Sequence, residues 1–62
     1  MISEQDIYHH ASLMLRDRKL GDALMQASQM VDDCWVRRDL EGRYKWIRIT
    51  LAIQELANQK LN

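Results

Sequence analysis

The chain has 62 residues, of which 47% are apolar and 29% are charged, and its nine basic side chains balance its nine acidic ones. At this length it forms at most one domain, which lacks the bulk to enclose a substrate pocket of roughly several hundred Å³. The formal net charge of zero removes any general attraction to nucleic acid or to an anionic membrane. Local features must therefore indicate what the protein binds.

The only two glycines, Gly21 and Gly42, divide the chain into three pieces of 20 residues each, and no proline interrupts any of them. Glycine often follows the last residue of a helix because it enters the left-handed region without steric penalty. The sequence therefore predicts a single all-α domain over residues 1–62. It is expected to be a small three-helix bundle with helices at about 4–20, 23–38 and 42–60.

The first predicted helix begins with Ser3 as its N-cap, and Asp6 follows three residues later in a pattern that resembles a capping box. Ile2 and Ile7 have the spacing of a hydrophobic staple. On a helical wheel Ile7 and Met14 share one sector, so we expect an amphipathic helix with these side chains in the core.

The second predicted helix begins after Asp22, which we expect to be its N-cap. One stripe of this helix carries the side chains that we expect to face the core. They are Leu24, Ala27, Ser28, Val31, Cys34 and Trp35. Small residues in the first half of the stripe let another helix approach closely. The break that follows is short, which predicts that the last two helices are antiparallel.

The third predicted helix has two apolar sets. The first set lies in a sector roughly 100° wide and is predicted to be core. It consists of Trp46, Ile49, Ile53, Leu56 and Ala57. The second set, Tyr44, Ile47 and Leu51, lies about 130° away, where a small bundle normally presents charge.

Two interpretations of the second set remain open. The first helix can wrap round the third far enough to bury it, or the set can be a contact surface for a second copy or a larger protein. The stabilisation from so small a core nearly equals the entropy lost on ordering the chain, so association is plausible on energetic grounds. We favour the interface and predict Tyr44, Ile47 and Leu51 as partner-binding residues.

A cluster of cations near the second predicted turn suggests the alternative function, a small nucleic-acid-binding regulator with a helix-turn-helix-like helix pair. Its candidate contacts are Arg37, Arg38, Arg43, Lys45 and Arg48. Arg43 and Lys45, however, lie about 160° apart on the helix. Asp32 and Asp33, just upstream, also repel phosphate. A solvated charged face is the simpler interpretation.

No residue pattern predicts a metal, a cofactor or catalysis. The adjacent His9 and His10 point about 100° apart on a helix and so do not share one ion. A site of His10 with Cys34 would supply only two ligands, and we expect that thiol to behave as a small buried apolar group. The chain has no phosphate-binding glycine loop and no nucleophile with a supporting base. We therefore expect a protein that is not an enzyme.

Positions spread along nearly the whole chain resemble a known family. They are Asp6, Ile7, Ala11, Gly21, Ala23, Ala27, Asp32, Asp33, Asp39, Glu41, Gly42 and the pattern W-x-R-I-x-x-A-I-x-E-L over residues 46–56. The family consists of small uncharacterised helical proteins common in alphaproteobacteria, a domain of unknown function. The resemblance implies no activity, cofactor or catalytic residue. Family members tend to have polar or basic residues at the positions of Ile47 and often Leu51, so the apolar residues here imply an added contact face.

The sequence also favours a location and a kind of partner. Its longest apolar runs are a few residues, far below the roughly 20 that cross a bilayer, and no export signal is recognisable. The single cysteine has no partner for an internal disulfide. We expect a cytoplasmic protein that does not enter the membrane, either a homo-oligomer, most simply a dimer, or bound to a larger protein.

Overall fold

The computed structural model describes the backbone of residues 3–61 and the side chains of residues 3–59. Over this range the chain forms three α-helices: α1 (Glu4–Asp17), α2 (Leu20–Val36) and α3 (Leu40–Leu61). The predicted all-α three-helix fold is therefore confirmed. Helices α2 and α3 make the most extensive contact, α1 packs mainly on α3, and α1 barely meets α2. Helix α3 is thus the central element against which the other two pack.

Helix α1 begins as predicted. The Ser3 hydroxyl accepts the backbone N–H of Asp6 at 3.2 Å and so caps the first turn. Ile2, the other half of the expected staple, lies outside the described residues. The helix stops three residues earlier than predicted, because Arg18 and Lys19 both have extended backbone angles.

The predicted start of α2 is wrong. Helix α2 begins at Leu20 with Lys19 as its N-cap, and no side chain caps this end. Asp22, the expected N-cap, lies inside the first turn, where its negative charge still favours the helix dipole.

Both glycines were expected to end helices, and both instead lie in the first turn of the helix that follows. The left-handed position after α2 is taken by Arg38, with φ of 62°. Two backbone hydrogen bonds close this end of the helix: Arg38 N–H to the Trp35 carbonyl at 3.1 Å and Asp39 N–H to the Cys34 carbonyl at 2.8 Å. These two hydrogen bonds form a Schellman motif. They offset the steric cost of placing arginine, rather than glycine, in the left-handed region.

Asp39 also caps α3, which begins at Leu40, two residues before the predicted start. Its carboxylate accepts the backbone N–H of Gly42 at 3.0 Å, as an N-cap does. A Cβ on Gly42 would lie 2.9 Å from Cγ of Asp39 and 3.0 Å from Sγ of Cys34. Glycine is needed here because a side chain would overlap the Asp39 carboxylate and the Cys34 thiol, and not because the backbone is left-handed.

The core lies where the three helices meet on one side of α3. Its buried side chains are Ile7, Ala11, Met14, Ala23, Ala27, Ile49, Ala52 and Ile53. The predicted core residues Leu24, Trp46 and Leu56 are partly buried against this cluster, and Val31 is half-buried. Cys34 is buried as a free thiol, as expected.

Two residues expected in the core are exposed. The side chain of Trp35 is 51% exposed, and Ser28 is also on the surface. Helix α2 is rotated by roughly 60° from the predicted face, so that Ala23, Ala27 and Cys34 point inward. These small side chains let the two helix backbones come close, which a tryptophan at the contact would prevent.

The contact at Gly42 predicts opposite effects for two alanine substitutions. We expect Gly42→Ala to lower the free energy of unfolding by about 1–3 kcal/mol, because the new methyl group overlaps the Asp39 carboxylate and the Cys34 thiol. Gly21→Ala is the matched control: its methyl group meets nothing within 4 Å, and we expect a gain of about 0.4–1 kcal/mol. Urea unfolding followed by circular dichroism measures both. Equal effects at the two positions would contradict this account.

Candidate interaction surface on helix α3

The most exposed apolar residues of α3 lie on its side away from the other helices. Tyr44 is 63% exposed and Leu51 is 54% exposed, while Ile47 between them is half-buried. Helix α1 therefore does not wrap round α3 far enough to cover these side chains. The structure thus brings the three predicted contact residues together on one open face.

Leu40 extends this face by one turn and is 65% exposed. We call Leu40, Tyr44, Ile47 and Leu51 the outer stripe. Leu40 was not among the predicted contacts, because the predicted helix began at Gly42. The spacing of four residues between Leu40 and Tyr44 is the signal that could have found it.

A shallow open groove between α2 and α3 runs beside the outer stripe. It is lined by Ser28, Val31, Asp32, Ile47, Thr50 and Leu51. The Thr50 hydroxyl donates to the Trp46 carbonyl at 2.8 Å, which holds its methyl group at a fixed place in the groove wall. The groove therefore continues the apolar surface onto α2, with the Asp32 carboxylate at its edge.

On the other flank, polar side chains join α1 to α3. The Arg48 guanidinium donates to the Glu4 carboxylate at 2.9 Å, and the Tyr8 hydroxyl donates to Glu55. That hydrogen bond is the main reason why the pKa of Tyr8 is raised above its usual value. Surface contacts of this kind stabilise little, about 0–1 kcal/mol for an exposed ion pair, but they define the edge of the outer stripe.

The side chain of Trp35 is half exposed to solvent, but two cations lie close to its ring. The guanidinium carbons of Arg38 and Arg43 lie 5.5 Å and 5.2 Å from the centre of its ring, within cation–π distance. Two of the five cations proposed to contact nucleic acid are thus stacked on the side chain that sequence analysis placed in the core.

The other three cations have separate neighbours. Arg37 donates to Sγ of Cys34 at 3.8 Å, and the Lys45 ammonium lies 5.8 Å from the Trp46 ring. Arg48 pairs with Glu4. The five cations therefore do not form one face, whereas a recognition helix presents its contacts along a single groove-facing side.

His10 packs edge-to-face on Trp46, with ring centroids 5.1 Å apart. Partial burial, together with the nearby charges of Lys45 and His9, lowers the pKa of His10 below its usual value. Among residues 3–59, no group of three or more histidine, cysteine, aspartate or glutamate side chains could hold a metal ion.

Comparisons with known proteins add no relative: no protein-family model matches the chain, and neither the curated proteins nor the solved structures contain a match. The resemblance noted in the sequence stays a prediction. Within the described part of the chain, no helix is both long and apolar enough to cross a membrane.

His10 predicts how stability changes with pH. Its pKa is lower in the folded protein than in the unfolded chain, so the unfolded state binds more protons as the pH falls below about 6.5. The contribution of His10 to the free energy of unfolding is therefore complete above about pH 6.5. It is lost as the pH decreases through the lowered pKa of the folded protein. We expect His10→Phe, which keeps an aromatic ring on Trp46, to flatten this part of the stability curve.

Urea unfolding at several pH values between 5 and 8 measures the effect, and His9→Gln serves as the control. His9 contributes only the last of the three causes of the shift, so that variant should keep most of the slope. A slope that survives in His10→Phe would assign the pH dependence to other groups.

Proposed function

We propose that the protein is a small non-enzymatic interaction module that self-associates through the outer stripe, most simply as a homodimer. The observation that carries the proposal is the position of Tyr44, Ile47 and Leu51 on one open face of the central helix. Tyrosine and large aliphatic side chains at this spacing are typical anchors of helix-mediated contacts.

The exposure of the outer stripe supports association, because Leu40, Tyr44 and Leu51 are each more than half exposed. With nine charges of each sign, two copies approach without net repulsion. A cytoplasmic setting belongs to the same proposal, because the only cysteine is a buried free thiol.

Adding charge to the outer stripe tests this function. We expect Ile47→Lys combined with Leu51→Lys to abolish association, because two ammonium groups would have to be buried at the contact. Both positions are at least partly open to solvent, so the helical circular dichroism spectrum should persist. Light scattering over a concentration series measures the mass, which for the wild type should rise towards twice 7.4 kDa.

The matched control is Met25→Lys combined with Val36→Lys, which adds the same charge at two exposed apolar positions on α2. This pair should leave the association unchanged. A wild type that stays monomeric at every concentration would contradict self-association. The outer stripe would then be expected to bind a larger protein instead of a second copy. Unchanged association in the Ile47 and Leu51 variant would show that the contact lies elsewhere.

The nucleic-acid alternative makes a separate prediction. If the cations around the turn between α2 and α3 bound phosphate, the affinity for duplex DNA would fall steeply with salt as counterions are released. Because these cations point to different neighbours, we expect no binding to labelled duplex DNA at low salt in fluorescence anisotropy. Salt-dependent binding that Arg38→Glu weakens would favour the alternative.

A further inference from the structure

The outer stripe has the spacing of a coiled-coil contact line. Its residues are separated by four, three and four positions, which places Leu40 and Ile47 at position d of a heptad and Tyr44 and Leu51 at position a. The next two residues in this pattern are the polar Gln54 and Asn58. The apolar line therefore ends at Leu51 and covers about three helical turns.

The two flanks of the outer stripe carry different charges. On the α1 side, position e holds Glu41 and Arg48, the second of which contacts Glu4 on α1. On the α2 side, position g holds Arg43, which reaches Trp35 on α2, and Thr50, which lines the groove beside Asp32. The flank beside α1 thus has both signs of charge, and the flank beside α2 has a cation above an acidic groove edge.

These flanks distinguish the two directions in which a second copy can pair. In a parallel pair, position g of one helix faces position e of the other, five residues further along. Arg43 would then face Arg48 of the second copy, twice in a symmetric dimer. Like charges at both flanks oppose this arrangement.

In an antiparallel pair, position e faces position e and position g faces position g. When Tyr44 packs against Ile47 of the second copy and Leu40 against its Leu51, Glu41 comes opposite Arg48 of that copy. Two-fold symmetry forms this pair of opposite charges twice. At the other flank Arg43 comes opposite Thr50, next to the Asp32 carboxylate of the groove.

We infer that the protein forms an antiparallel two-fold dimer in which the outer stripes of two α3 helices pack together, with the symmetry axis between Tyr44 and Ile47. The inference rests on the proposed self-association and names its partner, direction and register. Helices α1 and α2 flank the outer stripe but leave Leu40, Tyr44 and Leu51 more than half exposed to a second copy. The contact is short, so the dimer dissociates on dilution.

Disulfide trapping tests the direction. Leu40→Cys and Leu51→Cys are prepared as separate proteins, one carrying a tag that changes its mobility on a gel. In the antiparallel dimer these positions face each other across the contact. Each lies eleven residues, or about 16 Å along the helix, from its own equivalent, which is beyond the roughly 7 Å between Cα atoms that a disulfide spans. The native Cys34 is buried, and wild-type protein serves as its control.

Under mild oxidation we expect the mixture to give the mixed disulfide and each variant alone to give little. Disulfides within each variant alone, with none in the mixture beyond chance, would show parallel pairing and overturn the inference while leaving the proposed function intact. No disulfide from either variant, in a protein that light scattering shows to be dimeric, would place the contact outside the outer stripe. A wild type that is monomeric throughout would remove the proposed function and this inference together.

Charge reversal gives a second readout. We expect Glu41→Arg to raise the dissociation constant of the dimer roughly five- to tenfold, because it places two pairs of like charges at the contact. Adding Arg48→Glu and Glu4→Arg restores both the pair across the dimer and the pair to α1, and should recover the wild-type value. Asp22→Arg, the same charge change at an exposed site on α2, is the control. A triple variant as weak as Glu41→Arg would overturn the register.

Discussion

The close approach of α2 and α3 at their connecting turn is the constraint on which the rest of the structure depends. Asp39 acts on both helices: its backbone N–H closes α2 on the Cys34 carbonyl, and its carboxylate caps α3 at Gly42. The absence of a side chain on Gly42 leaves room for the Cys34 thiol beneath this turn. The chain reverses direction within three residues, so α3 lies along α2 with little choice of angle.

Small side chains extend this approach along α2. Ala23, Ala27 and Cys34 are all buried, and on α3 the larger Ile49 and Ile53 fill the space between the helices. Because α1 barely meets α2, α3 must provide most of the apolar surface for both partners. A central helix of this kind still has one side that its neighbours flank without covering, and here that side carries the outer stripe.

The sequence predicted the features that depend on strong local patterns. Three helices, the Ser3 cap and the burial of Ile49 and Ile53 follow from spacing alone. The rotation of α2 does not, because alanine and cysteine give a weak hydrophobic signal beside Trp35. The positions of the two glycines inside helices could not be predicted either. A glycine that follows a helix and one that lies in a close contact look alike in a sequence. The open face of Tyr44, Ile47 and Leu51 was visible only as two interpretations until the position of α1 was known.

The exposed side chain of Trp35 and the outer stripe differ in what surrounds them, and the difference bears on function. The guanidinium groups of Arg38 and Arg43 lie within cation–π distance of the Trp35 ring. A partner that packed on this ring would have to displace both cations. Tyr44 and Leu51 are more than half exposed, and the ion pair and hydrogen bond that join α3 to α1 lie along the flank of the outer stripe rather than across it. An incoming helix meets no charge along the middle of the outer stripe and meets charges only at its edges. That arrangement allows apolar contact to supply affinity while the edge charges select direction.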